Sequence, residues 1–83
     1  MIFKYYPEND MLYIELIKQV STESEEVSSG IVLDFDANQN VIGIEIEDAA
    51  RRIDLSKLEI AAFPVTDLVF KNQLATNVMN ARF

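Results

Sequence analysis

The chain has 83 residues, of which 49% are hydrophobic and 25% are charged, and its formal net charge is −7. This length allows one hydrophobic core, and the composition is that of a folded globular domain rather than a disordered chain. Because it contains no cysteine and no histidine, disulfides, thiolate catalysis and zinc sites of the usual kind are excluded. The negative charge argues against a nucleic-acid-binding domain, because neutralising phosphates requires clustered lysine and arginine.

Two features of the chain bear on its location and partners. No apolar run reaches the roughly 18 residues that cross a bilayer, and the N-terminus lacks the basic start and long apolar segment of a secretory signal. We therefore expect a cytoplasmic protein with no membrane partner. Residues 1–50 contain eleven carboxylates and two lysines, a net charge of −9, whereas residues 51–83 have a net charge of +2. Such asymmetry steers a basic partner toward the first half, or the tail of one protomer toward the acidic half of another.

The first segments of the chain predict strands. Ile2 to Tyr6 is rich in β-branched and aromatic residues and is followed by Pro7 and the turn-forming pair Asn9-Asp10. Met11 to Lys18 alternates between two sides, one of them more apolar, which is the period-two pattern of a strand. The polar segment 21–29 is either a loop or a short exposed edge strand.

The clearest pattern is a β-hairpin between residues 30 and 49. Ile31 to Phe35 and Val41 to Ile46 both alternate, with aliphatic or aromatic side chains on one face, around the polar turn 36–40. A sheet with one buried face follows. Like charges directly opposite one another destabilise a sheet, so an acidic open face requires solvent spacing, a cation or a basic partner. Pairing the three strongest strands places three acids on that face: Glu15, Asp34 and Glu45.

Helices are expected in the second half of the chain. Asp48 is a candidate N-cap for a helix over 49–53, and Asp54 for a helix over 55–62. Pro64 excludes helical geometry at the residue before it. Beyond it, apolar residues recur at helical spacing and predict a C-terminal helix over about 67–80.

The predicted fold class is α+β, an antiparallel meander sheet of four to five strands with short helices and a C-terminal helix that covers one face. Residues 1–63 are expected to form the sheet-plus-short-helix domain. Residues 64–83 form a helical extension that packs either on its own protomer or on a neighbouring one. Because the short helices offer little area to cover the apolar face, we predict a symmetric homodimer. Its expected interface residues are Phe70, Leu74, Val78 and Met79.

One motif invites a metal interpretation. Asp34-x-Asp36-x-Asn38, with Glu45 at the twelfth position, nearly matches the calcium loop of an EF-hand. However, Gln39 takes the position of the required glycine, and strands rather than helices flank the loop. A plain hairpin is therefore the favoured interpretation, and we expect no metal and no cofactor.

The segments Gly30-Ile-Val-Leu-Asp34-Phe-Asp36, Val41-Ile-Gly43-Ile-Glu45-Ile and Asp48-Ala49-Ala50 carry a family resemblance. Together with Asp10-x-Leu12-Tyr13-Ile14, they resemble the DUF2283 family of small uncharacterised proteins, over about Tyr5 to Leu58. The chain departs from the family in the turn, where Gln39 and Asn40 stand in place of the usual glycine. Asparagine tolerates left-handed backbone geometry and is expected to replace it.

The resemblance implies a compact sheet-plus-helix domain with no established activity. Members of the family are often encoded beside small basic toxin-like proteins, which implies an antitoxin or immunity role. We accordingly expect a noncatalytic protein-interaction module with a basic protein partner. The alternatives are a small-molecule or metal-binding domain, an enzyme that uses the open-face carboxylates as acid and base, and acids that merely keep the sheet face soluble. The expected contact residues are Glu15, Asp34, Asp36, Glu45 and Glu47.

Overall fold

The computed structural model describes residues 1–71. Within this range, five strands form one antiparallel sheet, and a short helix follows the last strand. The predicted sheet of four to five strands is confirmed, and the polar segment 21–29 contains a strand. No helix among these residues is long and apolar enough to cross a bilayer. The elements are β1 (Ile2–Tyr6), β2 (Met11–Glu15), β3 (Glu23–Ser28), β4 (Ile31–Phe35), β5 (Val41–Ile46) and α1 (Ala49–Arg52).

The strand order β1-β2-β5-β4-β3 joins two simple units. β1 and β2 form a hairpin, β3, β4 and β5 follow one another as a meander, and β5 pairs with β2. The connection between the two units, residues 16–22, is tethered at both ends. The Leu16 N–H donates to the Ile42 carbonyl at 2.8 Å, and the Thr22 N–H donates to the Phe35 carbonyl at 2.9 Å. This order leaves β1 and β3 at the two edges of the sheet.

The pairing register separates an apolar face from a polar one. On the apolar face, Ile44 lies between Ile14 of β2 and Leu33 of β4. On the opposite face, Gly43 lies between Glu15 and Asp34 in one row, and Glu45 lies beside Tyr13 in the next. The sheet therefore has the single apolar face that the alternation predicts, and the three acids predicted for the open face share it.

The core cluster lies at one end of the apolar face, beside α1, and Ile42 is buried outside this cluster. Leu12, Ile46 and Ala49 are buried there, and Ile14, Ile44 and Ile53 pack against them. Fully burying a large aliphatic side chain contributes about 1.5–3 kcal/mol. Because few side chains among residues 1–71 are buried to this degree, the described part of the chain has a small core and depends on its polar contacts as well.

The N-terminus of α1 is capped from a distant part of the chain, and the predicted Asp48 cap is wrong. Asp48 adopts the left-handed conformation (φ 53°, ψ 47°) and makes no side-chain capping bond. The carboxylate of Asp10 instead accepts the Ala50 N–H at 3.1 Å, and the Asp10 carbonyl accepts the Ala49 N–H at 2.9 Å. The Tyr5 hydroxyl donates to the same carboxylate at 2.7 Å. The β1–β2 turn and the helix are thereby joined.

The predicted helix over 55–62 is also wrong, because residues 54–71 contain neither helix nor strand. Asp54 accepts the Ser56 N–H at 3.0 Å, as a capping residue would, but no helix follows this turn. Every side chain in 54–71 is exposed, so no packing supports a short helix that is marginal by itself. Asp67 to Lys71, the described start of the predicted C-terminal helix, is not helical. The rest of that prediction, with Leu74, Val78 and Met79, lies outside the described residues.

Candidate functional site

The open face of the sheet is the candidate site, and we call it the acidic face. Glu15 comes from β2, Asp34 from β4, Glu45 from β5 and Glu26 from β3. Strand alternation brings them to one side, because each occupies a position in register with the others on the same side of the pleat. Of the five predicted contact residues, the structure brings together Glu15, Asp34 and Glu45.

Asp34 is the buried member of the acidic face. The residue is 4% exposed, and the hydroxyl of Ser24 on β3 donates to its Oδ1 at 2.5 Å. A buried carboxylate is costly unless it is hydrogen-bonded. The hydroxyl supplies one hydrogen bond, so Asp34 is anchored in the sheet and contributes its charge from below the surface.

Glu45 lies next to Asp34 and shares a hydrogen bond with it. That bond is the largest reason why the pKa of Glu45 is raised to about 6, followed by desolvation and by the negative charges of Asp34 and Glu47. Two carboxyl groups in contact cannot both ionise easily, so one of them retains a proton to a higher pH. The charge of the acidic face therefore changes within the mildly acidic range.

Tyr13 lies in the middle of the acidic face, between Glu15 and Asp34. Its ring lies against Gly43, where an added Cβ would come within 2.7 Å of the Tyr13 hydroxyl oxygen and 3.2 Å of Cε1. Gly43 itself lies in the row between Glu15 and Asp34. Desolvation first, and then the charges of Asp34, Glu15 and Glu45, raise the pKa of the tyrosine. A neutral phenol group is therefore held among three acids, over the one residue that leaves room for it.

Asp36 does not join the acidic cluster but organises the β4–β5 turn. Its carboxylate accepts the N–H groups of Asn38 and Asn40, both at 2.9 Å, and the Asn40 side-chain amide at 3.2 Å. The hydrogen bonds from Asn40 are the largest cause of its lowered pKa. Glu47, the remaining predicted contact residue, follows β5 and is exposed.

The left-handed residue of this turn is Gln39 (φ 65°), not Asn40 as the sequence suggested. Asn40 is instead committed to the Asp36 carboxylate through both its backbone and its side chain. Strands flank the turn on both sides, so the calcium-loop pattern does not have the helices of an EF-hand. Among residues 1–71, no group of three or more acidic, histidine or cysteine side chains is placed to hold a metal ion.

Arg52 has a role that the sequence did not reveal. Its Nε donates to the Glu47 carbonyl at 2.9 Å and its Nη2 donates to the Ser29 carbonyl at 2.7 Å. Gly30 admits this contact, because an added Cβ would lie 2.7 Å from Nη2, and its φ of +81° also favours glycine. Arg52 thus joins α1 to the β3–β4 turn instead of lying free at a helix end.

No basic side chain within the described residues neutralises the acidic face through an ion pair. The two salt bridges in this range join Arg51 to Asp48 at 3.2 Å and Lys57 to Glu59 at 3.5 Å, and both are exposed. Neither includes a residue of the acidic face. Lys4 lies on this face opposite Tyr13 but forms no ion pair with its carboxylates within residues 1–71, so the clustered carboxylates retain a net negative charge toward solvent.

A family model described as a protein of unknown function, DUF2283, matches residues 2–49, which is more than half of the chain. The chain belongs to the DUF2283 family. This confirms the resemblance drawn from the strand and turn residues. The DUF2283 match contains all five strands and ends at the first residue of α1, so the acidic face lies wholly inside it. No curated protein and no solved structure matches this chain.

The described part of this DUF2283 chain also contains a shallow open groove of about 990 Å³ beside β1. Residues of β1 and its following turn line it, together with Tyr13, Glu15 and Lys71. Neither Asp34 nor Glu45 lies on its wall. The groove and the proton-sharing carboxyl pair are thus separate features that meet only at the Tyr13 and Glu15 side of the sheet.

Proposed function

We propose that this DUF2283 protein is a noncatalytic protein-interaction module whose acidic face binds a basic protein. The observation that carries the proposal is the convergence of Glu15, Asp34 and Glu45 from three strands onto one face, with no ion pair to that face among residues 1–71. Grouped carboxylates that are not paired with a cation attract basic side chains and speed their encounter.

The five proposed contact residues would contribute in different ways. Glu15, Glu45 and Glu47 are the surface groups, and we propose that they meet the partner directly. Asp34 is buried and would act by raising the proton affinity of Glu45, while Asp36 would act by holding the turn. Because a bound cation favours the ionised form of a carboxyl group, partner binding should release a proton from Glu45. Affinity should then increase as pH rises through about 6.

An antitoxin-like role is the specific form of this proposal. It is supported by the family resemblance and by the charge of the first 50 residues, which suits a small basic partner. A cytoplasmic location belongs to the same proposal.

Proton-sharing carboxyl groups also occur in acid–base catalysis, and this is the observation that favours the enzyme alternative. Against it, Asp34 is buried in the sheet and the groove beside β1 contains neither member of the pair. Substrate sites are usually concave and hold their reactive groups in the pocket. We therefore prefer the interaction module.

Self-association is the second part of the proposal. Phe70, one of the predicted interface residues, is 79% exposed, and the neighbouring Leu68 and Val69 are exposed as well. Residues 64–83 would then act as an extension that packs on the sheet domain of the same or a neighbouring protomer. Exposed apolar side chains in a small domain are commonly covered in this way.

A pair of double variants tests the acidic face. Glu15→Gln with Glu45→Gln removes two charges from it, whereas Glu23→Gln with Glu25→Gln removes two charges from β3 on the opposite side of the sheet. Capture from native lysate should yield a basic protein with wild type and with the β3 variant, but not with the acidic-face variant. The captured complex should also dissociate as salt is raised. Equal capture by both variants, or the absence of any basic protein, would contradict the proposal.

A further inference from the structure

The two edges of the sheet differ in their protection against pairing with another strand. β3 contains three glutamates, all of its residues are exposed, and its register with β4 shifts between Glu26 and Ser28. Charged side chains and bulges are the usual means by which proteins prevent edge strands from pairing. β1 has no bulge, and its one charged residue is Lys4. Its five residues pair with β2 without a register shift, and none of them is acidic.

The β1 edge also exposes apolar surface. Phe3 is 51% exposed and Tyr5 is 42% exposed. Both lie on the apolar face, because they pair with Ile14 and Leu12. No residue within 1–71 pairs with the outer side of β1. A regular edge strand with unpaired backbone groups and exposed aromatic side chains is a template for another strand.

The self-association proposed above makes a second copy of this chain the occupant, and charge makes β1 its point of contact. Two copies that each carry a net charge of −7 repel one another, so their contact should lie where acids are fewest. Each of the other four described strands contains at least one carboxylate, whereas the charged residue of β1 is Lys4. We infer that two copies pair through β1 in antiparallel orientation and form a continuous ten-stranded sheet about a two-fold axis.

This inference rests on the self-association proposed above and assigns a surface to it. A two-fold axis perpendicular to the sheet keeps each face on the same side in both copies. The exposed Phe3 and Tyr5 side chains of the two copies then lie near one another on the apolar face. The two acidic faces lie side by side on the other, so that one dimer offers two sites to a basic partner. Binding of a two-site partner would gain avidity from this arrangement.

The competing occupant of the same edge is the chain itself. Lys71, the last described residue, lines the groove beside β1, and residues 72–83 continue from it. If these residues occupied the edge, no dimer through β1 would be expected. Dependence on protein concentration therefore separates the two occupants.

Sedimentation equilibrium of the full chain at micromolar concentrations is the test, with one variant on each edge. Phe3→Lys and Val27→Lys add the same charge at equally exposed positions, 51% and 50%, on β1 and β3 respectively. Wild type and Val27→Lys should sediment at twice the 9.5 kDa chain mass. Phe3→Lys should raise the dimer dissociation constant at least tenfold, by roughly 1.4 kcal/mol or more, while its far-UV circular dichroism remains that of wild type.

Amide hydrogen exchange of the wild-type protein tests the β1 pairing even if Phe3→Lys does not fold. In wild type, protection of the β1 amides should fall on dilution, while that of the β3 amides should not change. The pairing is refuted if the dimer survives Phe3→Lys, if Phe70→Lys dissociates it and Phe3→Lys does not, or if β1 protection is independent of concentration. A monomeric wild type would refute self-association altogether. Since no partner is present in these measurements, none of the outcomes depends on the basic-protein proposal.

Discussion

Carboxylates serve two different purposes at two places in this molecule. Asp10, in the β1–β2 turn, accepts hydrogen bonds from the Tyr5 hydroxyl and from the Ala50 N–H. On the acidic face, the neighbouring Asp34 instead raises the pKa of Glu45, and no lysine or arginine in the described range forms an ion pair with either residue. The turn carboxylate is satisfied and stabilises the fold. The carboxylates of the acidic face repel one another, so binding of a cation there would relieve this repulsion and be favourable.

The largest loss of stability should come from a substitution at Gly30, in the β3–β4 turn that Arg52 joins to α1. Gly30→Ala places a side chain at φ +81° and against the Arg52 guanidinium. A left-handed alanine and the loss of the hydrogen bond to Ser29 should together lower the free energy of unfolding by about 2–3 kcal/mol in urea denaturation. Arg52→Ala removes the hydrogen bonds without the backbone strain and should cost less. An equal loss in both variants would show that the backbone conformation at Gly30 contributes nothing.

Asp10→Ala should have the next largest effect. It removes the cap of α1 and places alanine at φ 52°, which should lower the free energy of unfolding by about 2 kcal/mol. Asp10→Asn retains an acceptor and tolerates the backbone conformation, so it should cost less than half as much. For comparison, Glu15→Ala on the acidic face should change stability by no more than about 0.5 kcal/mol. If Glu15→Ala lowers the free energy of unfolding as much as Asp10→Ala, carboxylates of the acidic face stabilise the fold as much as the turn carboxylate does, which contradicts the distinction drawn above.

Glu45→Gln should have the opposite sign. The pKa of Glu45 is raised to about 6 in the folded protein, so folding favours the protonated form. Its stabilising contribution is present below about pH 4.5 and is lost as pH rises through about 6. At pH 7 the amide should therefore raise the free energy of unfolding by roughly 1 kcal/mol, after allowance for solvent screening. The gain should disappear near pH 4.

The control for this variant is Glu25→Gln, which removes one charge from an exposed position on β3. Its effect on stability should be nearly the same at pH 7 and pH 5. The lowered pKa values of Asp36 and Asp54 affect stability only where pH falls below their ordinary value of 3.8, so they do not obscure the window between pH 5 and 7. If Glu25→Gln gives the pH dependence expected of Glu45→Gln, general repulsion rather than the Asp34–Glu45 contact is the cause.

The smallest effect is expected in the turn that Asp36 organises. Gln39→Gly relieves a left-handed glutamine (φ 65°) and should raise the melting temperature, with a gain of about 0.5 kcal/mol. Asn40→Gly removes a donor to Asp36 and should lower it. If Asn40→Gly instead stabilised the protein, the strain in this turn would lie at Asn40 and not at Gln39.

The parts of the fold that follow from neighbouring residues could be predicted from the sequence. Alternation along Ile31–Phe35 and Val41–Ile46 determines which side chains share a face, because the period of a strand is two residues. The cap by Asp10 could not be predicted, since it joins residues 40 positions apart while Asp48 offered a better local signal. The contact between Asp34 and Glu45 required the register of β4 and β5. A cap signal at Asp54 was misleading because the side chains of the segment that follows, as far as residue 71, are all exposed.

The acidic face holds crowded negative charge that no ion pair within residues 1–71 compensates. NMR titration of the Glu45 side-chain carboxyl carbon in the wild-type protein tests it most directly. We expect a pKa of about 6, and a shift back toward lower pH in Asp34→Asn, which removes the neighbouring carboxylate. A wild-type value at or below the ordinary 4.5 would contradict the claim, because it would mean that donors or cations already satisfy this carboxylate.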